Sequence, residues 1–343
     1  VIGAILAIET SCDDTCAAVL AADGTIRSNV ISSQEVHDRF GGIVPEIASR
    51  HHLELLSAVV ERALRDGRVA LEDVELVAAT QGPGLVGALL VGLSVAKGLA
   101  AARRLPFVAV DHLQGHVAAN FLGEKPFEPP FVCLIASGGH TLLAHVRGHD
   151  GFDVLGQTLD DAAGEAFDKG ARMLGLGFPG GPALERLAAA GERGAFEFPA
   201  SGSRSRGGRG AIRPFGRSLD FSFAGLKTSL LYRLRELGPE RAQDRAADLA
   251  ACYQDAIVEH LMLRAEQALA ATGLDRLAVG GGVAANGELR RRLGELDAEV
   301  HVPDRALCTD NAAMIASAAR FGPALPYPDY LDLDAYATGE RPR

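Results

Sequence analysis

The sequence contains no tryptophan, only five tyrosines and three methionines, and aromatic residues make up 6% of it. Stacking platforms for single-stranded nucleic acid are therefore scarce. Lysine is nearly absent: Lys97, Lys125, Lys169 and Lys227 are the whole set among 34 cationic residues. Against 44 acidic residues the formal net charge is −10, so any nucleic-acid contact must use a local basic patch. The cysteines (Cys12, Cys16, Cys133, Cys252 and Cys308) are odd in number and include no CxxC pair. That pattern reads as reduced thiols in a cytosolic protein. No basic stretch followed by an apolar run and a cleavage site opens the chain, which begins at Val1 and reads as trimmed there. The longest uncharged window, Leu76 to Ala96, is broken by Gly82-Pro83-Gly84 and is too short to span a bilayer. These absences predict a soluble chain without a membrane segment.

What is present is globular. The 343 residues are 48% hydrophobic and 23% charged, enough apolar surface for about two domains without a disulfide or metal staple. Ile2–Ile8, Cys16–Leu20 and Ile26–Ser32 read as strands, the first two joined by a polar turn from Glu9 to Thr15. Phe131–Ala136, Leu142–Val146 and Phe152–Leu155 repeat that layout around the turn Ser137–Thr141, and helical sequence follows both copies. The repetition predicts an internal duplication. Val74–Thr80 and Phe107–Val110 read as strands flanking a nearly apolar helix over Leu85–Arg104. Asp244–Thr272 predicts an amphipathic helix, Leu277–Val279 a short strand and Asn311–Arg320 a late helix, with an irregular strap after Pro323. Ser201–Ser218 sets Arg204, Arg206, Arg209, Arg213 and Arg217 among Gly and Ser. It reads as a flexible basic loop, either a solvated linker or a phosphate contact.

Several motifs have chemical content. His112 and His116 stand at i and i+4, one face of a helix, where both can bind one metal or simply serve as core or surface histidines. A zinc protease would need Glu directly after the first His, and Leu113 stands there. A third ligand must come from elsewhere. Asp310 is the best carboxylate for it, and two histidines with one carboxylate suit iron or zinc. Ser137-Gly138-Gly139-His140-Thr141 is either a plain hairpin or a turn whose glycines let backbone N–H groups approach an anion. Gly280-Gly281-Gly282 through Asn286 suits a flat ligand or a tight strand-to-helix turn, and it is not GxGxxG. Asp161, Glu165 and Asp168 fall on one face of an acidic helix over Leu159–Lys169, solvated or set at a ligand. Pro179-Gly180-Gly181-Pro182 opens a helix at Ala183, and Leu219–Thr228 mixes aromatics with Lys227.

In chain order these pieces resemble one family, the tRNA N6-adenosine threonylcarbamoyltransferases (TsaD, formerly named O-sialoglycoprotein endopeptidase), in its bacterial or organellar branch. The resemblance runs through IETSCDDT (8–15), GGIVPEIASRHH (41–52), GPGLVGALLVG (82–92), DHLQGH (111–116) and LIASGGHT (134–141). It continues through DDAAGEAFDK (160–169), GFPGGP (177–182), DFSFAGLKT (220–228), GGVAAN (281–286) and CTDNAAMIA (308–316). It implies an α/β, actin-like (ASKHA) fold of duplicated RNase H-like lobes with a central nucleotide cleft. Residues 1–110 with about 311–343 would form the N-terminal lobe and 111–310 the C-terminal lobe. The implied reaction moves a threonylcarbamoyl group from threonylcarbamoyl-adenylate to the exocyclic amine of adenosine 37, in tRNAs reading codons that begin with A.

By the same resemblance His112, His116 and Asp310 match metal ligands, for one divalent ion, Fe2+ ahead of Zn2+. Ile135, Ala136, Ser137, Gly138, Gly139, Asp168, Gly181 and Asn286 match positions that bind the adenylate (threonylcarbamoyl-AMP, ATP or ADP), and Glu185 a further contact. Asp13 and Asp14 match an acidic pair at the catalytic centre, with Asp14 where relatives often carry Glu, and Ala224 replaces a usual Ser. The implied partners are tRNA, a smaller paralogue (TsaB) and a small ATPase (TsaE), in the cytoplasm and away from membranes. A small-molecule kinase of the actin fold and a non-catalytic scaffold paralogue are the alternatives. The histidine pair argues against the kinase, whose metal is held mostly by oxygen. The intact triad argues against the scaffold.

Overall fold

The computed structural model describes residues 3–199 and 219–337; the arginine-rich segment Ser201–Ser218 lies outside them. Ten strands and ten α-helices are defined there. The first half holds β1 (Ala4–Glu9), β2 (Asp14–Ala21), β3 (Ile26–Ser33), α1 (Pro45–Gly67), β4 (Val74–Gly82), α2 (Val86–Arg103), β5 (Phe107–Asp111) and α3 (His112–Ala118). Next come β6 (Phe131–Ala136), β7 (Thr141–Gly148), β8 (Gly151–Gln157), α4 (Ala163–Met173), α5 (Gly180–Ala188), α6 (Ala224–Asp244) and α7 (Ala246–Thr272). The chain ends through β9 (Arg276–Gly280), α8 (Gly287–Leu293), β10 (Glu299–His301), α9 (Arg305–Cys308) and α10 (Ala312–Ala319).

Two five-stranded sheets carry the duplication. Their orders are β3-β2-β1-β4-β5 and β8-β7-β6-β9-β10, the same path read in chain order. In each, the first strand pairs antiparallel with the second and parallel with the fourth (β1 with β2 and β4, β6 with β7 and β9). The chain divides into two compact units around them: Val1–Pro129, Arg147–Phe152 and Pro303–Arg343, and then Pro130–Val146 and Asp153–Val302. These bounds differ from the expected 110/111 and 310/311. The segment after β5 and the approach to α10 belong with the first sheet, so His112, His116 and Asp310 lie in one unit.

Central strands explain their own sequences. Every residue of β1 and of β6 is buried, so both read as continuous apolar runs rather than alternating ones. In unit 1, Leu6, Ile8, Val19 and Val77 form one core with Leu56 and Val60 of α1 and Leu93 and Ala96 of α2. With mean hydropathy 1.5 over its 18 residues, α2 is long and apolar enough to cross a membrane. Here it packs on β4 and α1 through Ala88, Leu89, Gly92 and Leu93.

Two expectations need correction in unit 2. The helix read as amphipathic, α7, is buried on most sides from Leu249 to Ala268, because α4, α5, α6 and α8 all pack around it. Its alanines let those neighbours approach. The acidic helix begins at Ala163, two residues after Asp161, so the three-carboxylate face does not form. Asp160 accepts the backbone N–H groups of Phe223 and Ala224 (2.7 and 3.2 Å) at the start of α6. Asp161 pairs with Lys169 at 2.6 Å and faces Lys227 at 3.7 Å. Half of the scarce lysines thus serve one half-buried carboxylate.

Candidate functional site

In unit 1, β5 hands directly into α3. Asp111, the last strand residue, caps the helix by accepting from Leu113 N (2.9 Å) and Gln114 N (3.2 Å). That cap fixes the first helical turn, and the i, i+4 spacing sets the His112 and His116 rings edge to face at 4.8 Å between centroids. Asp310 arrives between α9 and α10. Its Oδ1 lies 3.6 Å from His112 Nε2 and 3.3 Å from His116 Nε2. One ligand atom from each residue falls within 4.8 Å of the other two. Donors bound about 2.1 Å from one ion stand roughly 3.0–3.4 Å apart, near the two histidine–carboxylate distances found.

The donor set fits a cation on a second ground. His116 is fully buried, and among the described residues neither ring nitrogen has hydrogen-bond geometry to any partner. Leaving such a group unsatisfied costs about 1–3 kcal/mol, and an ion between it and Asp310 removes that cost. Asp310 keeps 21% of its side chain exposed while the imidazoles keep 6% and 0%, so the centre opens on the carboxylate side. A partly open centre is what a metal needs to admit substrate.

Glu9 completes the centre and was missed from the sequence. Fully buried at the end of β1, it accepts from His112 Nδ1 (3.0 Å), Thr80 Oγ1 (2.5 Å) and the Ser11 backbone N–H. A carboxylate on Nδ1 orients the ring so that Nε2 faces Asp310, the side on which a metal would sit. Burial raises the Glu9 pKa, but the adjacent His112 outweighs it and holds the group ionised. Burial likewise lowers the His112 pKa, and the charges of Asp310 and Glu9 overturn that, lifting it to about 9. The available signal was one charged residue closing an otherwise apolar strand.

Of the acidic pair, Asp13 ends the β1–β2 turn and Asp14 opens β2. His52, on α1, bonds Thr15 Oγ1 through Nδ1 (2.8 Å) and the Cys12 carbonyl through Nε2 (3.0 Å), while Leu85 N donates to Ser11 O (2.8 Å). Burial, then the charge of Asp310, raises the Asp13 pKa. Asp14 rises to about 7 through burial and the charges of Asp310, Asp13 and Glu9, against a lowering hydrogen bond from Ser33. Four mutually repelling carboxylates around two histidines form a place where positive charge is welcome.

In unit 2 the other predicted residues gather at the C-terminal ends of the parallel strands β6 and β9, where α/β sheets bind ligands. Ile135 pairs with Gly280. Ser137 closes its turn by N–H donation to His140 O (2.8 Å), and Gly164 N bonds Ser137 O (3.1 Å), seating α4 on the turn. Gly138 and Gly139 are exposed, with open space where a Cβ would be. Gly281 adopts φ +87°, and its missing Cβ would fall 2.4 Å from the Ala136 carbonyl, so the glycine loop lies against the end of β6.

The helix α5 begins at Gly180, not at Ala183 as expected, and Asp168 accepts the Gly180 N–H at 2.8 Å. Burial raises the Asp168 pKa, and its bonds from Gly180 and Gly181 temper that. Glu185, one turn on, accepts from Gly287 N (2.9 Å) and Asn286 Nδ2 (3.3 Å), and Asn286 also donates to Gln254 (3.0 Å). Gln254 is a second member missed from the sequence, hidden inside α7. Asp13, Asp14, His112, His116 and Asp310 therefore meet in one unit, and Ile135–Gly139, Asp168, Gly181, Glu185 and Asn286 belong to the other.

Comparison with known proteins matches residues 25–317 to the family described as tRNA N6-adenosine threonylcarbamoyltransferase. A protein of that name from Clostridium perfringens strain SM101 is 48% identical over 322 residues, 92% of each chain. One from Clostridium kluyveri is 46% identical over the same share. Among solved structures, HypF from T. kodakarensis superposes with TM-score 0.61 at 14% identity, over 92% of this chain and 47% of that one. The Acidaminococcus fermentans (R)-2-hydroxyglutaryl-CoA dehydratase component A gives 0.55 at 15% identity, over 93% and 96%. At those identities the structures speak for a shared actin-like fold alone.

Proposed function

The chain belongs to the tRNA N6-adenosine threonylcarbamoyltransferase family, and from that premise we propose how its residues divide the work. It is an acyltransferase that modifies the N6 amine of adenosine in tRNA. We assign threonylcarbamoyl-adenylate as donor and adenosine 37, in tRNAs reading codons that begin with A, as acceptor. The observation that carries the assignment is the convergence of His112, His116 and Asp310 within 4.8 Å in a chain of this family.

The residue roles are these. His112, His116 and Asp310 would hold one divalent ion, with Glu9 fixing the His112 tautomer. Two nitrogens and one carboxylate oxygen favour Fe2+, with Zn2+ as substitute. When bound, the ion supplies Lewis acidity to a carbonyl or phosphate oxygen. In unit 2, Ile135 to Gly139, Asp168, Gly181, Glu185 and Asn286 take the adenylate. Backbone N–H groups at Gly138 and Gly139 can approach oxygens of the group in transfer. The adenosine amine attacks the carbamoyl carbon, the new N–C bond forms, the C–O bond to AMP breaks, and AMP leaves as the anion. One amine proton must depart, and the raised pKa of Asp13 suits it to receive that proton.

We assign a smaller paralogue (TsaB), a small ATPase (TsaE) and ATP turnover as accessories, and the cytoplasm as the location. Nothing in the site favours the kinase or scaffold alternatives. The test mixes the protein and both accessories with ATP, threonine, bicarbonate, a carbamoyl-adenylate synthase and unmodified tRNA, beside His112→Ala. Threonylcarbamoyladenosine in the digested tRNA from the wild type, with little from the mutant, is expected. Equal product from both would remove the metal centre from the mechanism. No product from either, with an active control enzyme, would overturn the transferase assignment.

A further inference from the structure

The irregular strap after α10 reaches the ends of β4 and β5, where Asp111 caps the helix that carries both histidines. Along it, the Lys97 ammonium donates to the carbonyls of Leu331 (3.0 Å) and Leu333 (2.7 Å). Farther along, Tyr336 N donates to Gln81 O at 3.2 Å, and Gln81 Nε2 donates to Asp334 O at 2.9 Å. The Tyr336 hydroxyl then lies 2.9 Å from both Asp111 Oδ2 and the Gly82 carbonyl. One phenolic proton serves one acceptor at a time, and the carboxylate is the stronger one. Asp111 therefore spends Oδ1 on the first turn of α3 and Oδ2 on the strap.

The docking is built into the strands beneath it. Gly82 is the register partner of Asp111 across β4 and β5. A Cβ on Gly82 would stand 2.4 Å from the Tyr336 carbonyl oxygen and 2.9 Å from its ring. The position is thus open to glycine because the tyrosine occupies the space a side chain would need.

We infer that Tyr336 is a positioning residue for the metal-binding helix, acting through the Asp111 cap to hold His112 and His116 in register. The hydroxyl orients the Asp111 carboxylate, whose other oxygen fixes two consecutive amides, Leu113 and Gln114, within the first helical turn. His112 immediately follows that cap, so a rotation of the carboxylate tilts the imidazole that Glu9 and Asp310 must meet. The inference rests on the reading of His112, His116 and Asp310 as metal ligands.

Tyr336→Phe in the full chain is the test, because it keeps the ring on Gly82 and removes only the hydroxyl. Two readouts are needed. Amide hydrogen exchange in the metal-free protein should speed up at Leu113 and Gln114. The Zn2+ dissociation constant, measured against a chromophoric chelator, should rise about threefold to tenfold, below the roughly 10–100-fold typical of a partner bonded directly to a ligand. In an Asp111→Ala background the same change should add nothing, since the two act in series. A purely structural strap would lower the melting temperature of Tyr336→Phe and leave the Zn2+ constant where it was, which overturns the inference. Additive losses with Asp111→Ala, or unchanged exchange at the two amides, overturn it as well. His116→Ala runs alongside: Zn2+ binding as tight as wild type there would mean the metal reading itself is wrong, a separate failure that takes this inference with it.

Discussion

Two buried histidines, one in each unit, titrate in opposite directions. His112 in unit 1 is driven up to about 9, and His260 in unit 2 is driven down to about 4. Burial lowers both. The neighbours decide the outcome: Asp310 and Glu9 face His112, whereas His260 has the charge of Arg264 nearby and lies between the Phe221 and Phe223 rings at 5.5 and 5.2 Å. His260 serves as an acceptor for the Ser222 N–H at 3.3 Å. One environment is arranged to receive positive charge and the other to exclude it. A histidine as such therefore says nothing about ligation; the carboxylates around it do.

The same contrast runs through the two groups of site residues. Those of unit 1 are buried or half-buried, and their carboxylates repel one another, which favours a cation among them. In unit 2, Asp168, Glu185 and Asn286 already satisfy one another and nearby backbone groups, while two glycines stand open. Removing a unit 1 ligand should thus cost chemistry, and altering a unit 2 contact should cost binding.

The largest effect expected is on His116. His116→Ala should cut tRNA modification at least about 100-fold and abolish tight metal binding, while His260→Leu leaves modification close to wild type. Comparable losses from both substitutions would erase the distinction between ligand and core histidine.

Next in size is an acid-linked loss of stability from unit 2. A neutral buried histidine with its pKa depressed from 6.5 to about 4 contributes stability that is full above pH 6.5 and is lost as pH falls toward 4. Between pH 7 and pH 5 the loss amounts to about 2 kcal/mol. Urea unfolding at the two pH values should show it, and His260→Leu should remove that part of the slope. A slope identical in the variant would place the acid sensitivity elsewhere, with Glu9, whose pKa is held low beside His112, the next group to examine.

Glu9→Gln tests the partner that sets the His112 environment apart. The isosteric amide keeps the packing and loses the charge, so metal affinity should fall by about 10-fold. Titration with Zn2+ checks it, and unchanged affinity would leave Asp310 as the sole carboxylate that matters.

Much of this was legible beforehand, for identifiable reasons. Strands such as Phe131–Ala136 announce themselves because both faces are buried and the run is wholly apolar. The histidine pair was legible because i and i+4 fix a shared helix face whatever the surroundings. Asp310, 194 residues beyond His116 (310 − 116), could not be fixed by spacing; it stood as the best carboxylate candidate, and the resemblance then matched it to a ligand position. Glu9 and Gln254 were missed because each sits inside an element whose pattern is otherwise structural, β1 and α7. The acidic helix was misplaced because Asp160 is committed to the start of α6 and Asp161 to Lys227, both remote in sequence, as well as to nearby Lys169. Long-range partners of this kind leave no local trace.

The smallest effect expected sharpens the comparison from the unit 2 side. Glu185 accepts two hydrogen bonds that organise the Asn286–Gly287 junction. Glu185→Gln keeps one acceptor oxygen for Gly287 N and loses the bond from Asn286 Nδ2, which retains Gln254 as its acceptor, so most of the junction should survive. What changes is one negative charge beside a site assigned to an anionic adenylate. Removing that charge should leave kcat as it is and shift the KM for threonylcarbamoyl-adenylate by no more than about threefold, the mark of an interaction equal in ground and transition states. Steady-state kinetics with purified donor would check it. A fall in kcat at unchanged KM would mean that Glu185 acts on the transition state, and the division between a chemical unit 1 and a binding unit 2 would then fail at this residue.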